Sequence, residues 1–128
     1  DAAAGARRHY AAAARLRPSE GRPHHQLAIL SAAVPGSALE TIYRYARALG
    51  CAAPCAARES LDRYLEKCAG RSPPPPPVAP ALLPLHSYSL GLAAALAVLV
   101  RRIGVERFGT VSAVLTSRYA ALLHAAAR

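Results

Sequence analysis

The sequence predicts an all-α fold in which stacked helical pairs are followed by a helical hairpin. Three observations predict this fold. A spacing of small and aromatic residues recurs 35 residues later, prolines and glycines divide the chain into segments of helical length, and five consecutive prolines interrupt it at 73–77. Such a run cannot be helical and favours an extended spacer. A ligand for aromatic-grooved domains is the alternative, and a linker is favoured because prolines are common in such joints. We therefore expect a helical region at 1–70, a proline-rich linker at 71–84 and a helical hairpin at 85–128.

The recurring spacing combines a small residue, a tyrosine, a second small residue and a proline. Its first copy is Ala6, Tyr10, Ala13 and Pro18, and its second is Thr41, Tyr45, Ala48 and, one position late, Pro54. A period of about 34 residues is typical of tetratricopeptide-like helical pairs. The small residues let two helices approach closely, the tyrosine fills the gap between them, and the proline ends the helix. Leu27, on the intervening helix, is the remaining structural position of the repeat.

Four helices are expected before the linker, at about residues 2–17, 23–34, 38–50 and 56–69. Ser37-Ala38-Leu39-Glu40 has the form of a capping box, in which both polar side chains bond free backbone N–H groups at the helix start. Helical periodicity selects the residues expected to face inward. They are Leu27, Leu30 and Val34 on the second helix, Leu39, Ile42, Tyr43, Ala46 and Leu49 on the third, and Leu61, Tyr64, Leu65 and Cys68 on the fourth.

Two further helices, at about residues 85–102 and 105–127, are expected to form a hairpin that turns at Gly104. The apolar run from Leu90 to Val100 is shorter than the roughly 20 residues that span a bilayer. We therefore expect a buried core helix there and no membrane partner. The expected inner faces of the hairpin are Leu92, Leu96, Leu99 and Ile103 on one helix and Phe108, Val111, Val114, Leu115 and Leu122 on the other.

The charge is strongly basic, with 16 basic and 7 acidic residues, a net charge of +9 and an isoelectric point near 10.3. This balance favours nucleic acid, phosphorylated peptide or an anionic surface as a partner. An alternative remains open. Fifteen of the basic residues are arginine, a composition that a GC-rich genome also produces, and charged residues usually form solvated faces.

Three arginines are the best candidates for contact with an anionic partner. Arg44 and Arg47 lie three residues apart on one side of the third helix, and Arg22 lies in the turn before the second. In a stack of helices these side chains could line one groove, where guanidinium groups hold phosphates bidentately. The alternatives are a solvated surface, or an ion pair between Glu40 and Arg44 at i,i+4 spacing.

A second basic cluster, Arg101, Arg102 and Arg107, lies at the turn of the expected hairpin. Binding of single-stranded nucleic acid would also need exposed aromatic rings on which bases stack. Tyr45 is expected in the core, whereas Tyr43 fits either the core or the surface. The sequence therefore gives a stronger electrostatic signal than stacking signal.

No residue pattern points to catalysis, a cofactor or a metal. The chain has three cysteines, Cys51, Cys55 and Cys68, which are too few for a disulfide framework and indicate a reducing compartment. No second Cys or His pair lies at a distance that would complete a zinc site. His24 and His25 are adjacent, so on a helix they point about 100° apart and share no ligand face. A structural role for this pair is favoured, and we expect the protein not to be an enzyme.

Four patches of sequence resemble one known family. The patches are His9 to Pro18, Gly21 to Leu30, Thr41 to Leu49 with Ala57 to Leu61, and Arg101 to Phe108. Together they resemble the Est-type DNA/RNA-binding region of the Est/SMG family, factors of nonsense-mediated mRNA decay and telomerase with a 14-3-3-like helical domain. The second patch is similar to the family's Gly-x-Pro and Gln-Leu-Ala pattern, with His24-His25 as in the plant-type form. The chain departs from the family at Cys51 to Cys55, where most members end a segment with Pro-Phe-Pro.

The resemblance implies a non-catalytic scaffold that joins protein partners in an mRNA-decay complex, or supports telomerase, with affinity for RNA or single-stranded DNA. It also implies a cytoplasmic or nuclear location and a protein that extends upstream, where the family's phosphate-gripping residues lie. We transfer no phosphoserine-binding role to this chain. An alternative of another class is a basic structural subunit of a large organellar or ribonucleoprotein assembly. The oligomeric state stays open.

Overall fold

Six α-helices follow one another in the computed structural model, which describes residues 2–70, 83–102, 106 and 108–127. They are α1 (Ala2–Leu16), α2 (Gly21–Ala32), α3 (Ala38–Gly50), α4 (Arg58–Gly70), α5 (Leu83–Arg101) and α6 (Phe108–Ala126). The described residues contain no strand and only one isolated bridge, between Glu20 and Ala53. The predicted all-α fold is therefore confirmed.

The chain divides into two compact units, Asp1–Tyr64 and Leu65–Arg128. The division falls inside α4, whereas the sequence placed a boundary after residue 70. Most of the expected proline-rich linker, residues 71–82, lies outside the described residues, as does Gly104. Leu83 and Pro84, which we expected in the linker, are the first residues of α5.

The first unit is built on α2, which packs against both α1 and α3. Its core combines two large aliphatic side chains with alanines and small polar residues. The buried residues include Leu27, Ala28, Ser31, Ala38, Thr41, Tyr45, Ala48, Ala57 and Leu61. A fully buried leucine such as Leu27 contributes about 1.5–3 kcal/mol relative to an exposed one. The small residues bring the helices together, and the few large ones supply most of the apolar area.

The buried face of α3 differs from the expected apolar stripe. The buried residues of α3 are Ala38, Thr41, Tyr45 and Ala48, while Leu39, Ile42 and Leu49 are half-buried and Tyr43 and Ala46 are exposed. The expected apolar stripe is shifted by about one residue from the observed buried face, because hydropathy does not select the polar Thr41 as a buried residue. Its hydroxyl donates to the carbonyl oxygen of Ser37 at 2.9 Å, which allows it to be fully buried. The prediction that Tyr45 belongs to the core is confirmed.

The first copy of the repeat is less buried than the second. Ala6, Tyr10 and Ala13 are half-buried, Pro18 is exposed, and α1 has no buried residue. These positions nevertheless occupy helix α1 and the turn that follows it, as the repeat spacing predicts. The second copy lies on α3, where Thr41, Tyr45 and Ala48 are buried.

Two expectations about the region between α2 and α3 are wrong. Val34 does not face inward; it lies beyond the end of α2 and is exposed, while His24 and Ser31 join Leu27 on the buried face. Ser37 does precede α3, but its side chain makes no capping hydrogen bond. The Glu40 carboxylate bonds Arg7 instead, so the expected capping box does not form. Gly36 allows the turn here, because its φ of 84° disfavours other residues.

In the second unit, α5 packs against α6 through small residues. The buried positions of α5 include Gly91, Ala93, Ala95, Ala97 and Val98. Arg118 of α6 crosses Gly91 and donates to the carbonyl oxygen of Ser87 at 3.0 Å. A Cβ on Gly91 would lie 3.2 Å from the Arg118 side chain, so this contact depends on a small residue.

The expected inner faces of the hairpin are only partly correct. Leu99 and Val114 are exposed, and Ile103 lies outside the described residues. The other expected positions are half-buried: Leu92, Leu96, Phe108, Val111, Leu115 and Leu122. These helices are apolar on all sides, so periodicity does not single out one face. None of the described helices combines the length and the apolar character that a membrane span requires.

Candidate functional site

The start of α2 is held against the end of α3 and the loop that follows it. The backbone N–H of Gly21 donates to Ala53 O at 2.9 Å, and the N–H of Ala53 donates to Ser19 O at 2.9 Å. The N–H of Cys55 donates to Ala48 O at 3.0 Å. A Cβ on Gly21 would overlap Ala48 O and lie 2.7 Å from Cys55 N. Only glycine fits this position, which gives the Gly-x-Pro sequence a physical reason.

This close approach brings two of the predicted arginines to one place. Arg22 follows Gly21 at the start of α2, and Arg47 precedes Ala48 in the last turn of α3. Both side chains are exposed, and neither forms an ion pair with a described residue. Their positive charges therefore remain available to a partner.

Arg44, the third predicted arginine, also lies near the start of α2. It acts on His24 of that helix, whose pKa is held below its ordinary value of 6.5 by burial first, and then by the positive charges of Arg44 and Arg47. His24 is 5% exposed, and neither ring nitrogen has a hydrogen-bond partner among the described residues. His24 is therefore neutral at pH 7 and adds no charge to this surface.

The positive charge of Arg44 is partly neutralised by an acidic residue. Its Nε lies 3.5 Å from Glu40 Oε1, which confirms the ion pair that the sequence offered as an alternative. Glu40 Oε2 also accepts a hydrogen bond from Arg7 Nη2 at 2.9 Å, and the same Arg7 nitrogen donates to Ser31 Oγ at 2.7 Å. Glu40 thus connects α1 to α3. No local pattern in the sequence indicates the roles of Arg7 and Ser31, because their contacts join residues 24 and 33 positions apart.

Tyr43 lies on the exposed side of α3. Its side chain is 55% exposed, and the guanidinium of Arg44 lies 5.6 Å from the ring centroid. This resolves the alternative that the sequence left open, since Tyr45 occupies the core and Tyr43 does not. We name Arg22, Tyr43, Arg44 and Arg47 the α2–α3 basic surface.

Only two members of the second predicted basic cluster, Arg101 and Arg102, lie in the described residues. Arg101 is half-buried, and its Nη2 lies 3.6 Å from Glu66 Oε1. Arg102 is exposed with an unusual positive φ of 52°, and Arg107 lies outside the described residues. These positions show one partly neutralised arginine and one exposed arginine, which is a weaker feature than the α2–α3 basic surface.

The cysteines and histidines have structural contacts. Cys55 Sγ lies 3.5 Å from His25 Nδ1, and the His25 ring lies 5.8 Å from the ring of Tyr45. The Cys51 thiol donates to Pro18 O at 3.5 Å. Both cysteines therefore help to hold the loop after α3 against the α1–α2 region. Within the part of the chain that the structure describes, no three Cys, His, Asp or Glu side chains are placed to hold a metal.

Comparison with known proteins identifies a family for the first unit and the rest of α4. A family model described as Est1 DNA/RNA binding domain matches residues 6–71, slightly more than half of the 128 residues. The match contains the α2–α3 basic surface and the first three patches of the resemblance. It ends before the fourth patch, at 101–108, where the resemblance stays a prediction. No curated protein and no solved structure matches the chain.

Proposed function

The chain belongs to the Est1 DNA/RNA binding domain family, and on that premise we propose that it binds RNA or DNA with the α2–α3 basic surface. A domain of this family is a binding domain rather than a catalytic one. The role of the surface is to contact phosphates, while the helices behind it hold the arginines in place. The matched residues contain the whole surface, which supports this assignment.

One observation carries the proposal: Arg22 and Arg47 are exposed and pair with no acidic residue in the described parts of the chain. The hydrogen bonds between the start of α2 and the loop after α3 keep these two positions together. Arg44 adds a third guanidinium, partly neutralised by Glu40. Two or three guanidinium groups on adjacent helix ends match the repeated negative charges of a nucleic-acid backbone.

We further propose that the protein is an adaptor in nonsense-mediated mRNA decay. The similarity of the first three patches to decay factors supports this role over one in telomerase. Its protein partners would belong to an mRNA-decay complex, and it would act in the cytoplasm, the nucleus or both. The nucleic-acid surface would then keep the adaptor near the transcript while other surfaces contact protein partners.

The test is fluorescence anisotropy of labelled single-stranded RNA over a range of salt concentrations. The informative variant is Arg22→Gln/Arg47→Gln, and the control is Arg8→Gln/Arg15→Gln, which removes the same charge from two exposed arginines of α1 that also lack an acidic partner in the described residues. Each lost phosphate contact lowers the magnitude of the negative slope of log K against log salt by about 0.7 for a single strand. We expect a decrease of about 1.4 for the first variant and little change for the control.

Equal effects of the two double variants would contradict the proposal, because they would show that only the net charge matters. Circular dichroism checks that both variants keep the wild-type helix content. Both tested arginines are exposed, so their replacement removes no buried contact.

A further inference from the structure

We propose that Tyr43 is a base-stacking residue, so that the α2–α3 basic surface selects unpaired strands over duplexes. This inference rests on the proposed function and adds the class of nucleic acid that the surface takes. Phosphate contacts alone do not distinguish paired from unpaired strands. An aromatic ring does, because it stacks only on a base whose face is open.

The first support is the exposure of the ring itself. Tyr43 is 55% exposed, whereas Tyr45, two residues later on the same helix, is 5% exposed and fills the core. An exposed tyrosine on its own carries no meaning. Here the ring lies on the same helix as Arg44 and Arg47, and the Arg44 guanidinium contacts it.

The second support is the pattern of exposed residues along α3. Tyr43 and Arg47 are four residues apart and therefore neighbours on the helix surface. Ala46 and Gly50 complete this exposed face, and Gly50 has no atom within 4 Å of a hypothetical Cβ. The face thus offers one ring and one guanidinium without an acidic partner among the described residues, with the small residues Ala46 and Gly50 beside them. A base could reach the ring while its own phosphate contacts Arg47.

The third support is the contact between Tyr43 and Arg44. The Arg44 guanidinium lies 5.6 Å from the ring centroid, within the range of a cation–π interaction. Glu40 Oε1, at 3.5 Å from Arg44 Nε, holds the guanidinium in that position. Ring and guanidinium together form a platform of the kind on which single strands stack with little sequence preference.

The experiment compares three RNA probes with equal numbers of phosphates: a single strand, a duplex and a strand of abasic nucleotides. Their affinities are measured by anisotropy for the wild type, Tyr43→Leu and Tyr43→Phe. Tyr119→Leu is the control, since Tyr119 is a similarly exposed tyrosine, at 48%, in the other unit. Replacement of an exposed ring leaves the core intact, and circular dichroism checks this for each variant.

We expect the wild type to bind the single strand about ten-fold more tightly than the abasic strand. Tyr43→Leu should bind both strands alike, while Tyr43→Phe and Tyr119→Leu should keep the difference. The inference is overturned if Tyr43→Leu binds the single strand as tightly as the wild type does, or if the wild type binds the abasic strand or the duplex equally well. In either case, the proposed function still holds if Arg22→Gln/Arg47→Gln lowers the salt dependence of RNA binding as predicted. If the wild type binds no probe, both proposals fail.

Discussion

His24 packs near the start of α2 with both ring nitrogens buried and without hydrogen-bond partners in the described part of the chain. A buried polar group in this state lowers stability rather than adding to it. Two arginines, Arg44 and Arg47, lie close enough to act on its charge. Protonation of His24 would therefore add a buried positive charge close to two others.

The pH dependence of folding should report this environment. Burial and the two arginines lower the pKa of His24 in the folded state, while the unfolded state keeps the ordinary value of 6.5. Below about pH 6.5 the unfolded state therefore binds more protons, and the free energy of unfolding decreases as the pH falls toward the lowered pKa. Above that range the contribution of His24 is constant. We expect urea unfolding to show lower stability at pH 5.5 than at pH 7.5.

His24→Leu separates His24 from the carboxylates that also titrate at low pH. The variant loses no hydrogen bond to a described residue, so its stability at pH 7.5 should equal or exceed that of the wild type. Its loss of stability between pH 7.5 and 5.5 should be smaller. An identical loss in both proteins would show that another group causes the pH dependence.

Helices α2 and α3 show which parts of an element can be read from sequence. The start of α3 at Ala38 and its end at Gly50 agree with the expected bounds, because prolines and glycines limit helices through local conformation. Its buried face could not be predicted from hydropathy, since packing depends on the neighbouring helix. Thr41 is buried and its hydroxyl bonds its own helix, whereas Tyr43 lies outside although Tyr45, a residue of the same size, is buried.

Gly21→Ala tests the contact that joins these two helices. A Cβ there would overlap Ala48 O and approach Cys55 N to 2.7 Å, and backbone atoms cannot move aside cheaply. Overpacking of this kind costs about 1–3 kcal/mol. We expect the variant to unfold at a lower urea concentration and to bind RNA more weakly, because Arg22 and Arg47 would move apart.

Gly5→Ala is the matched control for this prediction. Gly5 lies inside α1, and a Cβ there would meet no atom within 4 Å. Alanine in a helix interior is more stable than glycine by about 0.5–1 kcal/mol. Gly5→Ala should therefore be stabilising, with unchanged RNA affinity. Similar stability changes in the two variants would contradict the account of the contact at Gly21.

At the scale of the whole molecule, the charge is organised by ion pairs. Glu20, Glu40, Glu59, Asp62 and Glu66 each lie within 4 Å of an arginine. The sequence shows the excess of positive charge but not its full distribution, because two of the six pairs, Arg7 with Glu40 and Arg101 with Glu66, join different helices. Among the arginines of α1 to α3, those without an acidic partner in the described residues are Arg8, Arg15, Arg22 and Arg47. The structure thus shows which arginines carry the positive charge that is not neutralised by an ion pair.

The candidate site was partly predictable for the same reason. Arg22, Arg44 and Arg47 could be chosen because helical spacing and turns are local properties of the sequence. The contact between Gly21 and Ala48, which brings Arg22 to the end of α3, joins positions 27 residues apart. Packing also determines that Tyr45 is buried and Tyr43 is exposed. The family match then supplies a binding role that neither composition nor geometry could give alone.

The most direct measurement is an NMR titration of the ¹⁵N-labelled chain with single-stranded RNA at low salt. If the α2–α3 basic surface is the binding site, the amide shifts that change should be concentrated at residues 20–24 and 43–50. The amide shifts of α5 and α6 should change little. Changes concentrated in α5 and α6, or no changes at RNA concentrations well above that of the protein, would contradict the central claim that this surface binds nucleic acid.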